Sequence, residues 1–156
     1  MRAAVISDTH LRAPNAFFEA VYDRWLAPAD FVFHCGDHTG FAVWSHLLQH
    51  PGHVSVAGNC DGYDLGAELE PLAERMIGGL RVAALHGWGP RPGLSARIAE
   101  ALAGRFDLIF FGHSHAAENT LYGTTRLINP GSLTPGGSLA LVDFDGGDVR
   151  VEFVSI

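Results

Sequence analysis

Cysteine is scarce. Cys35 and Cys60 are the only two in 156 residues, one pair at most, where a secreted disulfide framework would carry more. No apolar run approaches the roughly 18 residues of a membrane-spanning helix. The opening MRAAVISDTH turns polar at Ser7, too early for a secretory leader, so a cytoplasmic location is expected and no membrane partner. Basic runs are missing as well. With a formal charge of −7 and a pI near 5.6, the chain lacks the surface that neutralises duplex phosphates, and no extended nucleic-acid surface is expected. Charged residues are 17% and hydrophobic ones 47%, a balance that excludes general disorder. No linker or repeat divides the chain, and residues 1–156 read as a single domain.

Glycine, by contrast, is plentiful. Its nineteen copies imply tight turns and places where backbone closely approaches something else. In the first half, short apolar runs at Ala3–Ile6, Phe31–His34 and Val54–Ala57 predict strands. Helical patterns at Asn15–Leu26 and Phe41–Leu48 lie between them, an order that implies parallel strands with right-handed crossovers. Further on, Glu74–Ile77, Gly78-Gly79 and Leu80–Leu85 predict a hairpin. Ser95–Leu102 predicts a helix and Phe106–Phe111 a buried strand. Short strands follow near Thr125–Ile128, Ser138–Phe144 and Val149–Val154, the last two turning at Gly146-Gly147.

Polar donors gather where these strands end: Asp8 and His10, Asp37, Asn59, His86, then His113 and His115. In open α/β sheets ligands bind outside the carboxyl ends of strands. Seven oxygen and nitrogen donors there match the needs of a two-metal site. A carboxylate can bridge two ions, imidazoles fill mixed shells, and a carboxamide oxygen ligates without charge. Asp8-Thr9-His10 and His113-Ser114-His115 each space two donors at i and i+2, which along an extended segment share a face.

The ordered set Asp8-Thr9-His10, Gly36-Asp37, Gly58-Asn59-Cys60-Asp61, His86-Gly87 and Gly112-His113-Ser114-His115 resembles the calcineurin-like metallophosphoesterase superfamily. Gly58-Asn59-Cys60-Asp61 and Asn129-Pro130-Gly131-Ser132 resemble its small, compact bacterial and archaeal phosphodiesterase branch. The resemblance implies an α/β fold, a four-layer α/β/β/α sandwich with two mixed β-sheets flanked by helices. It implies that Asp8, His10, Asp37 and His115 hold one divalent ion, and that Asp37 bridges to a second held by Asn59, His86 and His113. Asp37, Asn59 and His113 are its implied catalytic members. A bridging hydroxide would attack a small or nucleotide-like phosphate diester. Manganese is the expected metal, with iron, nickel and zinc also suited to such donors. A phosphomonoesterase, or a non-catalytic protein-interaction scaffold of the same fold, are the alternatives.

The chain departs from many relatives at Cys60, where they carry histidine after the metal-binding asparagine. A thiol is a poor replacement acid, so leaving-group quality should matter, and packing at a strand end is the simplest role for Cys60. Asp61 is expected to accept a hydrogen bond from a ligand histidine. His34 is expected either to orient Asp37 or to sit satisfied in the core, and His38 to contact substrate. His46, His50 and His53 read as surface residues, and Arg12 as solvated, with reach to phosphate its alternative. Asn129-Pro130-Gly131-Ser132 should shape the site. Trp25, Trp44 and Trp88 are many for this length and favour a homodimer, unless all three pack internally.

Overall fold

The computed structural model describes residues 1–102 and 104–156. Strand β1 (Arg2–Ile6) is followed by helix α1 (Ala16–Val21), β2 (Phe31–His34), α2 (Phe41–Leu47), β3 (His53–Ser55) and α3 (Tyr63–Glu68). Then come β4 (Leu72–Ile77), β5 (Leu80–Leu85), α4 (Leu94–Leu102), β6 (Leu108–Phe111), β7 (Ala117–Tyr122), β8 (Thr125–Pro130), β9 (Ser138–Asp145) and β10 (Asp148–Ser155). They form two mixed five-stranded sheets, ordered β10-β9-β1-β2-β3 and β4-β5-β6-β8-β7. Helices cover the outer face of each, which is the four-layer sandwich the resemblance implied.

The central strands are apolar on both faces because both faces are covered. In β1, Ala3 and Val5 point between the sheets while Ala4 and Ile6 point out toward α1 and α2. In β6, Leu108 and Phe110 point inward, and Ile109 and Phe111 pack under α4 with Leu94 and Ile98. Phe33 of β2 meets Phe110 edge-on at 5.0 Å between ring centres, joining the two sheets. Gly78 and Gly79 both take positive φ, 58° and 83°, as a tight hairpin turn between β4 and β5 requires.

Register places the strand ends. Ile6 pairs with His34 and His34 with Ser55, all parallel, while Leu85 pairs with Phe111 in the other sheet. The segments that follow these residues, carrying Asp8, Asp37, Asn59, His86 and His113, therefore leave the sheets at one common edge.

Four local expectations change. The predicted helix over Asn15–Leu26 is α-helical only to Val21 and continues as a π turn over Tyr22–Leu26, where Ala27 N–H donates to the Tyr22 carbonyl. Asn15 caps it, its side chain accepting from Phe18 N–H at 2.9 Å. The third strand runs His53–Ser55 rather than Val54–Ala57, because Ala57 N–H turns to the Glu70 carbonyl. Helix α3 and strand β7 were not expected. The first buries only Leu65, and the second is a polar edge strand without apolar alternation.

Candidate metal centre

The donor segments are held in unusual backbone. Asp8, His10, Asp37, Thr39, His113 and His115 are the non-glycine residues with positive φ among the described residues, between 49° and 75°. Such conformations cost on the order of 1–3 kcal/mol each and persist only where the surroundings impose them. Here Asp8 N–H donates to the Gly36 carbonyl at 3.0 Å, and His10 N–H to the Asp37 carbonyl at 3.1 Å. His113 N–H donates to Asp8 Oδ2 at 3.1 Å, and Ser132 Oγ to the Asp8 carbonyl at 2.8 Å. The i, i+2 donors thus converge through left-handed residues rather than along an extended strand, which corrects the geometry inferred from spacing. Gly58 permits a close approach: a Cβ there would collide with the Asp37 backbone nitrogen and carboxylate.

All seven predicted donors come together. His115 Nε2 lies 3.1 Å and His10 Nε2 3.8 Å from Asp8 Oδ1. Asp37 Oδ2 lies 3.8 Å from His10 Nε2 and 3.4 Å from His86 Nε2. Asn59 Oδ1 lies 3.1 Å from His86 Nε2 and 2.9 Å from His113 Nδ1. Asp37 therefore stands between two donor groups. The ligand atoms of Asp8, His10 and His115, of Asp8, Asp37 and His86, and of His10, Asp37 and Cys60 each fall within 4.8 Å of one another.

The fit to cations rests on two observations. Asp8 Oδ1 is buried without a hydrogen-bond partner; its approach to His115 brings two lone-pair atoms together without alignment, costly unless a cation lies between them. Two imidazoles are also fixed with a bare nitrogen inward. His86 Nδ1–H donates to the Cys35 carbonyl at 2.7 Å, leaving Nε2 for the cluster. His113 Nε2–H donates to the Gly89 carbonyl at 2.8 Å, leaving Nδ1. Such outer hydrogen bonds set ligand tautomers in metal sites.

Asp37 is tuned to stay ionised. Burial pushes its carboxyl upward, but the His86 imidazole beside it at 3.4 Å and the hydrogen bond from Cys60 N–H (2.7 Å) outweigh that and hold it well below the usual carboxylate range.

Several supporting residues differ from expectation. Asp61 serves backbone rather than a ligand histidine: it accepts from Gly58 N–H at 2.7 Å, Thr39 N–H at 2.8 Å and Asp37 N–H at 3.2 Å. His38 is fully buried, between Asp61 (3.4 Å) and Ser55 Oγ (3.0 Å), and stacked on His34 at 3.5 Å, so it is no substrate contact. His34 Nε2 meets Thr9 Oγ1 at 3.1 Å. His50 is buried against the Ala29 carbonyl, and His46 is wedged edge-on to Tyr22 and Phe18. Cys60 is exposed, not packed. Asn129 does shape the site, donating to the Gly112 carbonyl and Ser114 Oγ. Arg91 was missed. Its Nη2 lies 3.5 Å from His115 Nε2, and its position in a glycine- and proline-rich loop just after His86 was the available signal.

The fold and the clustered His, Asp and Cys ligand atoms together support a metal-dependent phosphoesterase activity. A model of the calcineurin-like phosphoesterase superfamily domain matches residues 1–147, and the chain belongs to that superfamily. It is 32% identical over 141 residues to the probable metallophosphoesterase MJ0623 of Methanocaldococcus jannaschii, covering 86% of this chain and 69% of that protein. Similar solved structures include Vps29 of Entamoeba histolytica complexed with Zn²⁺, at 23% identity and a TM-score of 0.74 over 99% of both chains. A novel archaeal phosphodiesterase is similar at 21% identity and a TM-score of 0.75, over 99% of this chain and 100% of that one. At these identities the structural likeness is one of fold.

Proposed function

We propose that the chain, acting as one domain, hydrolyses small or nucleotide-like phosphate diesters at two divalent ions, with manganese first among the metals. Asp8, His10, Asp37 and His115 would hold one ion; Asp37, Asn59, His86 and His113 would hold the other. The observation that carries this reading is the position of Asp37, its Oδ2 reaching toward His10 on one side and His86 on the other. Two ions so held would supply an acidified water and polarise the phosphoryl oxygens.

The protein's own part is positioning. The Cys35 and Gly89 carbonyls turn His86 and His113 so that bare nitrogens face the cluster. Cys60 N–H engages Asp37 Oδ1, so that Oδ2 is the oxygen facing His10 and His86. Ser132 anchors the backbone of buried Asp8. The 32% identity to an archaeal probable metallophosphoesterase supports placing the chain in the small bacterial and archaeal branch.

The test is turnover of a panel of diesters and monoesters by chelated protein reloaded with manganese, iron, nickel or zinc. Metal-dependent diester cleavage with aryl leaving groups fastest is expected. Cleavage of monoesters alone would replace the diester reading with the phosphomonoesterase. Bound metal without turnover of any ester would favour a scaffold.

A further inference from the structure

Between β5 and α4 runs the loop Gly87–Gly93, whose Pro90 and Pro92 restrict the backbone around Arg91. It is clamped from two sides over Trp88, Gly89 and Pro90. Arg97 of α4 donates from Nε and Nη2 to the Trp88 carbonyl at 3.1 and 2.8 Å, and from Nη2 to the Pro90 carbonyl at 2.5 Å. On the other side the Gly89 carbonyl accepts from His113. A loop fixed in this way delivers Arg91 to the rim of the donor cluster, 3.5 Å from His115.

Other arginines are engaged elsewhere. Arg2 pairs with Asp143, Arg81 with Asp107 and Arg105 with Glu74, while Arg24 lies over Trp25. Among the described residues Arg91 forms no ion pair within 4.0 Å, and its one side-chain hydrogen bond is to His115 Nε2. A guanidinium only donates, so that nitrogen faces it as an acceptor, although the same lone pair is directed into a cluster beside Asp8. A cation taken up by the cluster would claim that lone pair and free the guanidinium at the site's mouth.

We propose that Arg91 is the substrate-binding residue that grips a non-bridging phosphoryl oxygen, and that the Arg97 clamp positions it. The inference rests on the phosphoesterase reading and adds how an acidic protein holds an anionic ester. The planar fork of a guanidinium matches two oxygens of a phosphoryl group better than an ammonium does.

Calorimetric binding of inorganic phosphate to the manganese-loaded protein tests this apart from turnover. Arg91→Ala should weaken phosphate binding and raise KM for diesters, each by roughly 10- to 100-fold, the range of a charge-assisted hydrogen bond. Its manganese affinity should stay equal or tighten, because a competitor for His115 has gone. Arg91→Lys should recover part of the phosphate affinity, and Arg12→Ala should change it by less than about twofold. Unchanged phosphate affinity in a folded Arg91→Ala protein that still turns over diesters overturns the role of Arg91 alone. Loss of manganese in that variant would make Arg91 a prop for His115, which also overturns it. Wild-type protein that holds manganese yet neither binds phosphate nor cleaves esters defeats the functional reading and this one together.

Discussion

At the residue scale, the donor cluster depends on side chains that never face it. Asp61 gathers three backbone N–H groups from the segments that follow β2 and β3, so it sets the distance between Asp37 and Asn59. Asp61→Asn keeps the shape but removes the carboxylate, and it should weaken metal binding by about 10- to 100-fold, the usual effect of losing a group behind a ligand. Metal titration of the variant, with its melting curve as control for folding, checks this. His53 permits a pH prediction. Burial first, then neighbouring His38, lowers its pKa to about 4, below its ordinary value. The unfolded chain therefore takes up the proton first as pH falls, so the stability from neutral His53 is present above about pH 6.5 and is lost toward pH 4. His86, raised because its bond to Asp37 outweighs the opposing effect of burial, acts in the opposite direction, which makes the difference between variants the useful quantity. Metal-free His53→Gln should lose less melting temperature than wild type between pH 7 and pH 4.5. Parallel pH profiles would show that His53 is not the source.

At the element scale, strands buried on both faces were legible because an apolar run bounded by glycine and polar residues has few other readings. Phe31–His34 and Leu80–Leu85 fall where expected. Strand β7 was not legible, since its exposed edge asks for no apolar pattern, and neither was the short α3. The seven donors were legible because residue type carries their chemistry. The partners of Asp61, the burial of His38 and the place of Arg91 were not, because each depends on how loops from separate strands close over one another. Two glycines show what the elements tolerate. Gly58→Ala would drive a methyl group into the Asp37 backbone and carboxylate, so it should destabilise the protein by roughly 1–3 kcal/mol, as for overpacking, and lower metal affinity. Gly66 lies within α3 with nothing within 4 Å of an added Cβ. Gly66→Ala should stabilise by about 0.5–1 kcal/mol. Denaturant titration of both variants separates the effects, and equal outcomes would contradict the packing argument.

At the scale of the whole molecule, two sheets facing one core leave every donor segment at one edge, where residues far apart in sequence meet in a rigid frame. Trp25 packs partly against the outer core beneath α1, while Trp88, in the loop beside the donor edge, is 44% exposed. Phe41 and Leu48 are exposed on and beside α2, with Trp44 edge-on to Phe41 at 5.0 Å. We propose this aromatic patch as the contact of a homodimer. Sedimentation across a concentration series should show a dimer that Phe41→Glu dissociates, and a monomer at all concentrations would end that proposal.

We propose above all that the seven side chains build two adjacent cation sites sharing Asp37. The most direct measurement is the number of manganese ions bound per chain, by calorimetry with elemental analysis, for wild type and Asp37→Asn. Two ions in wild type and no more than one, weakly held, in Asp37→Asn is the predicted result. One ion in saturated wild type, or two retained without loss of affinity in Asp37→Asn, would contradict it.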